Sequence, residues 1–252
     1  GGLPPYGRRK VLVAFFQRGA MDGLMAVSPI HDPAFARARP NLFMSVRGSE
    51  NGMVDLDGRF ALHPAFAALA PLYRQGRLAV VHGVGSTNKT RSHFDAQDYM
   101  EAGTPGVKRT PSGWLNRAVG LLGPSSSPVR SVAVTEKLPR SFYGEHPAIA
   151  VDDLQSFGIH APDDRSASER LRAGLASMYA GSARGLAQRV GRESFEAIEV
   201  LKRINWSTYQ PTYGVRYPDS ELGRRMRQVA MLVKAEVGLE VVFVDSAGWD
   251  TH

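Results

Sequence analysis

Lys10-Val-Leu-Val-Ala-Phe-Phe-Gln-Arg-Gly-Ala-Met-Asp-Gly23 is the stretch whose reading decides the fold. Its apolar run, Val11 to Phe16, is too short for a membrane span, which takes about 20 residues. It is too continuous for a strand with one wet face, where apolar and polar residues alternate. Such a run fits a central parallel strand covered on both faces. Where the strand ends the chemistry changes at once, to Gln17, Arg18, Gly19 and Asp22-Gly23. In open α/β sheets ligands bind beyond the carboxyl ends of the strands, so Asp22 stands where a metal or phosphate would sit. Asp-Gly is also a common turn pair, and both readings of Asp22 stand at this point.

Other buried runs follow at intervals: Leu78–Val81, Val129–Val134, Ala148–Val151 and Leu239–Val244. Between them lie helical patterns. Pro64 suits a first helical turn, with Phe66, Leu69 and Leu72 at helical spacing and Gly76 as a stop. Ser92 opens a helix through Glu101 with Gly103 beyond it, and Trp114 to Leu122 reads as another. Leu222, Met226, Val229, Val233 and Val237 trace one helix face. Asp163 to about Arg203 is helical and charged, and Asn205 to Pro218 is an aromatic loop. Ser28 to Arg59 is irregular, with Pro29, Pro33 and Pro40 breaking any helix. Strands alternating with helices predict an α/β fold, a doubly wound and mostly parallel sheet flanked by helices. Residues 1–252 are expected to form a single domain, with a strandless helical insertion at about 163–217.

The composition, 252 residues with 43% hydrophobic and 22% charged, suits one sizeable core. There is no cysteine, hence no disulfide framework and no thiol nucleophile. The net charge of +7 comes from scattered basic residues. That pattern reads as a solvated surface and not a nucleic-acid groove, and its field would favour an anionic small-molecule or polymer ester substrate. No transmembrane run is present. The opening Gly1-Gly-Leu-Pro-Pro-Tyr-Gly7 reads as a tether left after removal of an export signal, or as an artificial leader. A domain rarely closes on a polar loop such as Gly248–His252, so the protein is expected to continue past His252.

Three polar clusters follow strand candidates: Asp22-Gly23, Thr90-Arg91-Ser92-His93 and Asp250-Thr-His252. Parallel strands place such loops on one edge of the sheet. Asp250 and His252 alternate, so in an extended loop both reach one side. A mixed oxygen and nitrogen ligand pair suits zinc, manganese or iron better than magnesium. Ser92 with Asp95 forms a variant capping box; Ser92 is equally a hydroxyl at the positive end of a helix, a place for a nucleophile receiving a phosphate-like group. Arg91 and His93 add charge and a potential ligand or acid, and Arg18 and Lys89 are further candidates for holding an anion. His63 reads as a helix-start residue, and His82 and Trp114 as packing. His31, His146 and His160 lie in loops without a specific signal.

Taken together, Arg18-Gly-Ala-Met-Asp-Gly-Leu24, Arg39-Pro40, Leu62-His-Pro64, Arg91-Ser-His-Phe-Asp-Ala-Gln-Asp98, Glu101-Ala-Gly103, Gly113-Trp-Leu-Asn-Arg117 and Gly248-Trp-Asp-Thr-His252 resemble a bacterial family of secreted proteins of unknown function, exported by the twin-arginine route. That family lies within the alkaline phosphatase and sulfatase superfamily. The resemblance implies an alkaline phosphatase-like fold, a periplasmic or extracellular location, and a metal-dependent hydrolase of phosphate or sulfate esters. The implied metal is divalent: zinc first, with manganese, iron or calcium as alternatives. It makes Asp22, Asp250 and His252 metal ligands, with His93 a further candidate. It puts Ser92 or Thr90 at the nucleophile position, with Arg91 or Arg18 neutralising the ester's oxygens. The nucleophile segment departs from the sulfatase signature. The family's Ser-Glu-Phe-Gly-Arg-Thr-like segment and later Asp-His-Gly, which would complete the metal site, are not in this sequence. A non-catalytic envelope protein that keeps the fold with a lost or repurposed site is the alternative.

Overall fold

The computed structural model describes residues 10–42, 52–155 and 196–250. Its strands are β1 (Leu12–Gln17), β2 (Val27–Ser28), β3 (Val54–Asp55), β4 (Ala61–Leu62), β5 (Ser131–Ala133), β6 (Ile149–Ala150) and β7 (Val241–Ser246). Its α-helices are α1 (Gly23–Ala26), α2 (Pro33–Ala38), α3 (Ala70–Arg74), α4 (His93–Ala102), α5 (Trp114–Leu121) and α6 (Glu221–Lys234), with a further helical stretch over residues 196–202. The chain divides into two compact units, Gly1–Gly19 with Ser86–Trp249, and Ala20–Gly85 with Asp250–His252.

The first unit carries a four-stranded sheet in the order β1-β7-β5-β6. Every pairing in it is parallel. The expected mixed α/β architecture with a parallel sheet is therefore present. Alternation along the strands sends side chains to two separate cores. Val132, Val242 and Val244 pack with Val229 and Leu232 of α6 and with Leu201 of the 196–202 stretch. Ala133, Val241 and Phe243 pack on the other face against Leu115 and Val119 of α5 and against Phe142. Helices thus cover both faces of β5 and β7, which is why Val132-Ala133 and Val241–Val244 are apolar without a break.

Two strand expectations are corrected. Val11–Phe16 does form a parallel strand, but among the described residues β1 lies at the edge of the sheet, with β7 as its one strand neighbour. Leu12, Val13 and Phe15 remain 49%, 38% and 42% exposed. A continuous apolar run reports burial on two faces, and among the described residues β1 is only partly covered, through Ala14 and Phe16. Leu78–Val81 is not a strand at all; Val81 is 76% exposed. A four-residue apolar run carries too little periodicity to separate strand from loop.

In the second unit β2, β4 and β3 form a small antiparallel sheet. The segment Ser28 to Arg59 is more regular than its prolines suggest. Pro33 starts α2 at its first position, where its missing N–H costs nothing, and Asp32 caps the helix. His63 accepts the amide of Ala65 at 3.2 Å and so opens the 3-10 turn Pro64–Leu69, the structural part expected of it. His82 stacks on Phe60 with ring centroids 4.1 Å apart. Of the expected helical segment Asp163–Arg203, residues 163–195 lie outside the described residues.

The Gly113-Trp-Leu-Asn-Arg117 motif turns out to be a clamp within the first unit. Asn116 donates to the carbonyls of Phe142 at 2.9 Å and His146 at 2.7 Å and accepts the amide of His146. Arg117 donates to the carbonyl of Ala102 at 2.7 Å, tying α5 to the end of α4. Gly113 is required because the Arg140–Ser141 backbone crosses it closely: a Cβ there would stand 2.1 Å from the Arg140 carbonyl oxygen. Gly113→Ala is expected to destabilise the protein by about 1–3 kcal/mol through overpacking. Urea unfolding reads this as a lower midpoint at unchanged slope, while Leu121→Ala, at a site 88% exposed, should stay within about 0.5 kcal/mol of the parent.

Candidate functional site

Parallel pairing aligns the carboxyl ends of β1 and β7, with Gln17 opposite Ser246. The amide of Arg18 donates to the Ser246 carbonyl at 2.8 Å. This carries the Arg18 side chain to the edge of the sheet where α/β sites form. Its guanidinium donates through Nε to Asp245 at 3.0 Å and through Nη1 to Glu101 at 2.8 Å and Gln97 at 3.2 Å. Glu101, 6% exposed, uses its other oxygen to accept the amide and hydroxyl of Ser141. Asp245 also pairs with Arg225 of α6. Burial works against the charged form of Arg18, but the two carboxylates outweigh it and hold the guanidinium above its ordinary value. Arg18 is thus a charge held between two carboxylates. Gln97, Glu101, Asp245 and Arg225 were not singled out from sequence. The signal for two of them is the four-residue spacing of Gln97 and Glu101, which puts both on one face of α4.

Ser92 caps α4: its hydroxyl accepts the Asp95 amide at 3.3 Å. Ser86, Asn88, Thr90 and Ser92 form a relay at alternate positions. Each of the first three side chains accepts the amide two residues on, at 3.1, 2.9 and 3.2 Å. The reciprocal half of the expected capping box is therefore not made. The Ser92 amide goes to Thr90, and the Asp95 carboxylate pairs with Lys108 at 2.7 Å. Thr90 thus serves Ser92 by shaping its loop. His93, the first residue of α4, lies with its ring 4.3 Å from that of Phe94. Arg91 is exposed, as is Lys89. Arg18 meets α4 at Gln97 and Glu101. At a rise of about 1.5 Å per residue these lie roughly 7–14 Å along the helix from Ser92, so the structure does not gather Arg18 and Ser92 around one atom.

In the second unit Asp22 caps α1. One carboxylate oxygen accepts the amides of Leu24 at 3.1 Å and Met25 at 3.3 Å, and the other pairs with Arg39. Both oxygens are engaged, so a cation would have to displace Arg39. His252 lies outside the described residues. Among the described residues no group of three or more His, Asp or Glu side chains is placed to hold a metal ion. Of the expected ligands, Asp22 is engaged by Arg39, and with His252 outside the described residues the full set is not described.

Comparison of the chain with protein-family models, with curated proteins and with solved structures finds no match.

The arginine network generates a stability prediction. Glu101→Ala leaves the Arg18 guanidinium short of one counterion and the buried Ser141 amide without its acceptor. It should cost about 3 kcal/mol, the lower end for breaking a buried pair, because Arg18 is partly solvated. Glu101→Gln keeps an acceptor and should cost less. Equal losses from the two variants, measured by chemical denaturation, would show that packing and not charge carries the effect.

Proposed function

We propose that the protein is a metal-dependent hydrolase of phosphate or sulfate esters acting outside the cytoplasm, with Ser92 as the nucleophile. The observation that supports this reading best is the Ser92 hydroxyl at the amino end of a ten-residue helix. The partial positive charge of that end favours an anion. Arg91 is the adjacent cation, exposed and able to meet the ester's non-bridging oxygens. Attack by the Ser92 oxygen on phosphorus or sulfur forms one O–P or O–S bond and breaks the ester bond. The Ser92 proton passes to water and the departing alkoxide takes one from water; a second water then attacks phosphorus or sulfur, breaking the bond to Ser92, releasing the acid and returning a proton to the Ser92 oxygen. Thr90 holds the Ser92 loop through its backbone and is the positioning residue. Zinc is the expected metal, with Asp22, Asp250, His252 and His93 as its expected ligands; no step above is carried by it.

A second reading, a non-catalytic envelope protein that keeps the fold, is favoured by a different observation. The charges of Asp22 and Arg18 are satisfied within the protein, by Arg39 in one case and by Glu101 and Asp245 in the other.

Two experiments separate the readings. On the hydrolase reading, Ser92→Ala abolishes hydrolysis of an aryl phosphate or aryl sulfate while Ser92→Thr retains part of it; activity unchanged in Ser92→Ala removes Ser92 from the role. Metal content after desalting, measured by elemental analysis, tests the other half. Asp22→Ala should lose the metal, and Arg39→Gln should retain at least as much as the parent because its guanidinium no longer competes for Asp22. Metal content that is insensitive to both substitutions supports the non-catalytic reading.

A further inference from the structure

A second cleft lies in the first unit, away from Ser92, at the carboxyl ends of β5 and β6. Its volume is about 570 Å3, within the roughly 300–1,000 Å3 range of small-molecule sites. One wall carries Glu136, beyond β5, and Asp152, beyond β6. The other is the first half of α6, with Arg224 and Arg227. Both carboxylates are exposed. Arg224 pairs with Asp219, itself fully exposed, and Arg227 lies over the ring of Tyr209 at 5.6 Å.

The two walls carry opposite charge, yet among the described residues no ion pair joins Glu136 or Asp152 to either arginine. They are held apart by a buried side chain. Gln228 donates to the carbonyl of Asp152 at 2.8 Å and accepts the amide of Leu154 at 2.8 Å. This fixes the acidic loop to the helix at a set spacing and prevents the cleft from closing on its own charges. Arg225, which with Glu221 also lines the cleft, is neutralised by Asp245 and Glu221. What remains is an open cleft with acceptors for a cation on one side and donors for an anion on the other.

We propose that this cleft binds a small amino carboxylate, its ammonium group on Asp152 and Glu136 and its carboxylate on Arg224 and Arg227. A molecule carrying both charges pairs with both walls at once. A molecule carrying one charge meets an attractive wall and a repulsive one.

The test uses the full chain and three probes in calorimetric titration: β-alanine, propionate (which lacks the amine) and ethylamine (which lacks the carboxylate). β-Alanine should bind at least roughly tenfold more tightly than either, since each charge-assisted contact adds to the other. Asp152→Asn should weaken β-alanine by roughly tenfold and leave propionate unweakened. Arg227→Gln should weaken both. The Asp152 substitution changes a carboxylate that makes no contact with Gln228, whose bond is to the backbone, so circular dichroism should match the parent. No β-alanine binding, binding no tighter than that of propionate, or β-alanine affinity unchanged in Asp152→Asn each overturns the proposal.

Discussion

A guanidinium held between two carboxylates governs the first unit. Arg18 leaves β1 and meets Asp245 of β7 and Glu101 of α4; Glu101 reaches on to Ser141, and Asp245 to Arg225 of α6. One charge cluster therefore joins two strands and two helices to the turn that crosses Gly113. Partly buried charges are tolerated only when each has a partner, because removing one leaves the others desolvated and unpaired. The cluster is thus a geometric constraint more than a source of net stability. It admits one relative placement of β1, β7, α4 and α6, and it sets the direction in which the loops beyond the strands emerge.

The same logic runs through the loops. Side chains that accept backbone amides shape the Ser86–Ser92 segment, the start of α1 at Asp22 and the start of the turn at His63. Thr90, Ser92 and Asp22 belong to motifs that read as chemistry in the sequence, and each has a backbone task. The two are compatible for Ser92, because a hydroxyl that accepts an amide keeps its own proton to donate and a lone pair to use. They compete for Asp22, where a guanidinium and a metal ion would need the same oxygen.

Much of the parallel sheet was legible. Val11–Phe16, Val129–Val134, Ala148–Val151 and Leu239–Val244 all overlap its strands, and Ser92, Gly103 and Trp114 mark real helix limits, because caps and unbroken apolar runs are local signals. What was not legible depends on distant partners. Nothing in the composition of Val11–Phe16 tells a central strand from an edge strand; that depends on what flanks it. Nothing in Leu78–Val81 tells a strand from a loop without its neighbour. Pro33 was taken as a breaker, although proline at a first helical position is favourable. At the site, the individual candidates were visible as residue types. Their partners, Glu101 and Asp245 for Arg18 and Arg39 for Asp22, are remote in sequence and emerge only from the folded chain.

The pairing of the first strand with the last has a consequence for how the protein comes to be folded. Arg18 and Asp245 are 227 residues apart, so β1 is synthesised long before β7, the strand it pairs with. Contacts of such long range raise contact order and slow folding. Until β7 is made the segment Leu-Val-Ala-Phe-Phe lacks the strand it pairs with, and nothing inside it, neither proline nor charge, discourages pairing with another chain. The nascent polypeptide therefore carries an adhesive element well before its partner exists, and the yield of folded protein depends on keeping that element occupied until β7 is made.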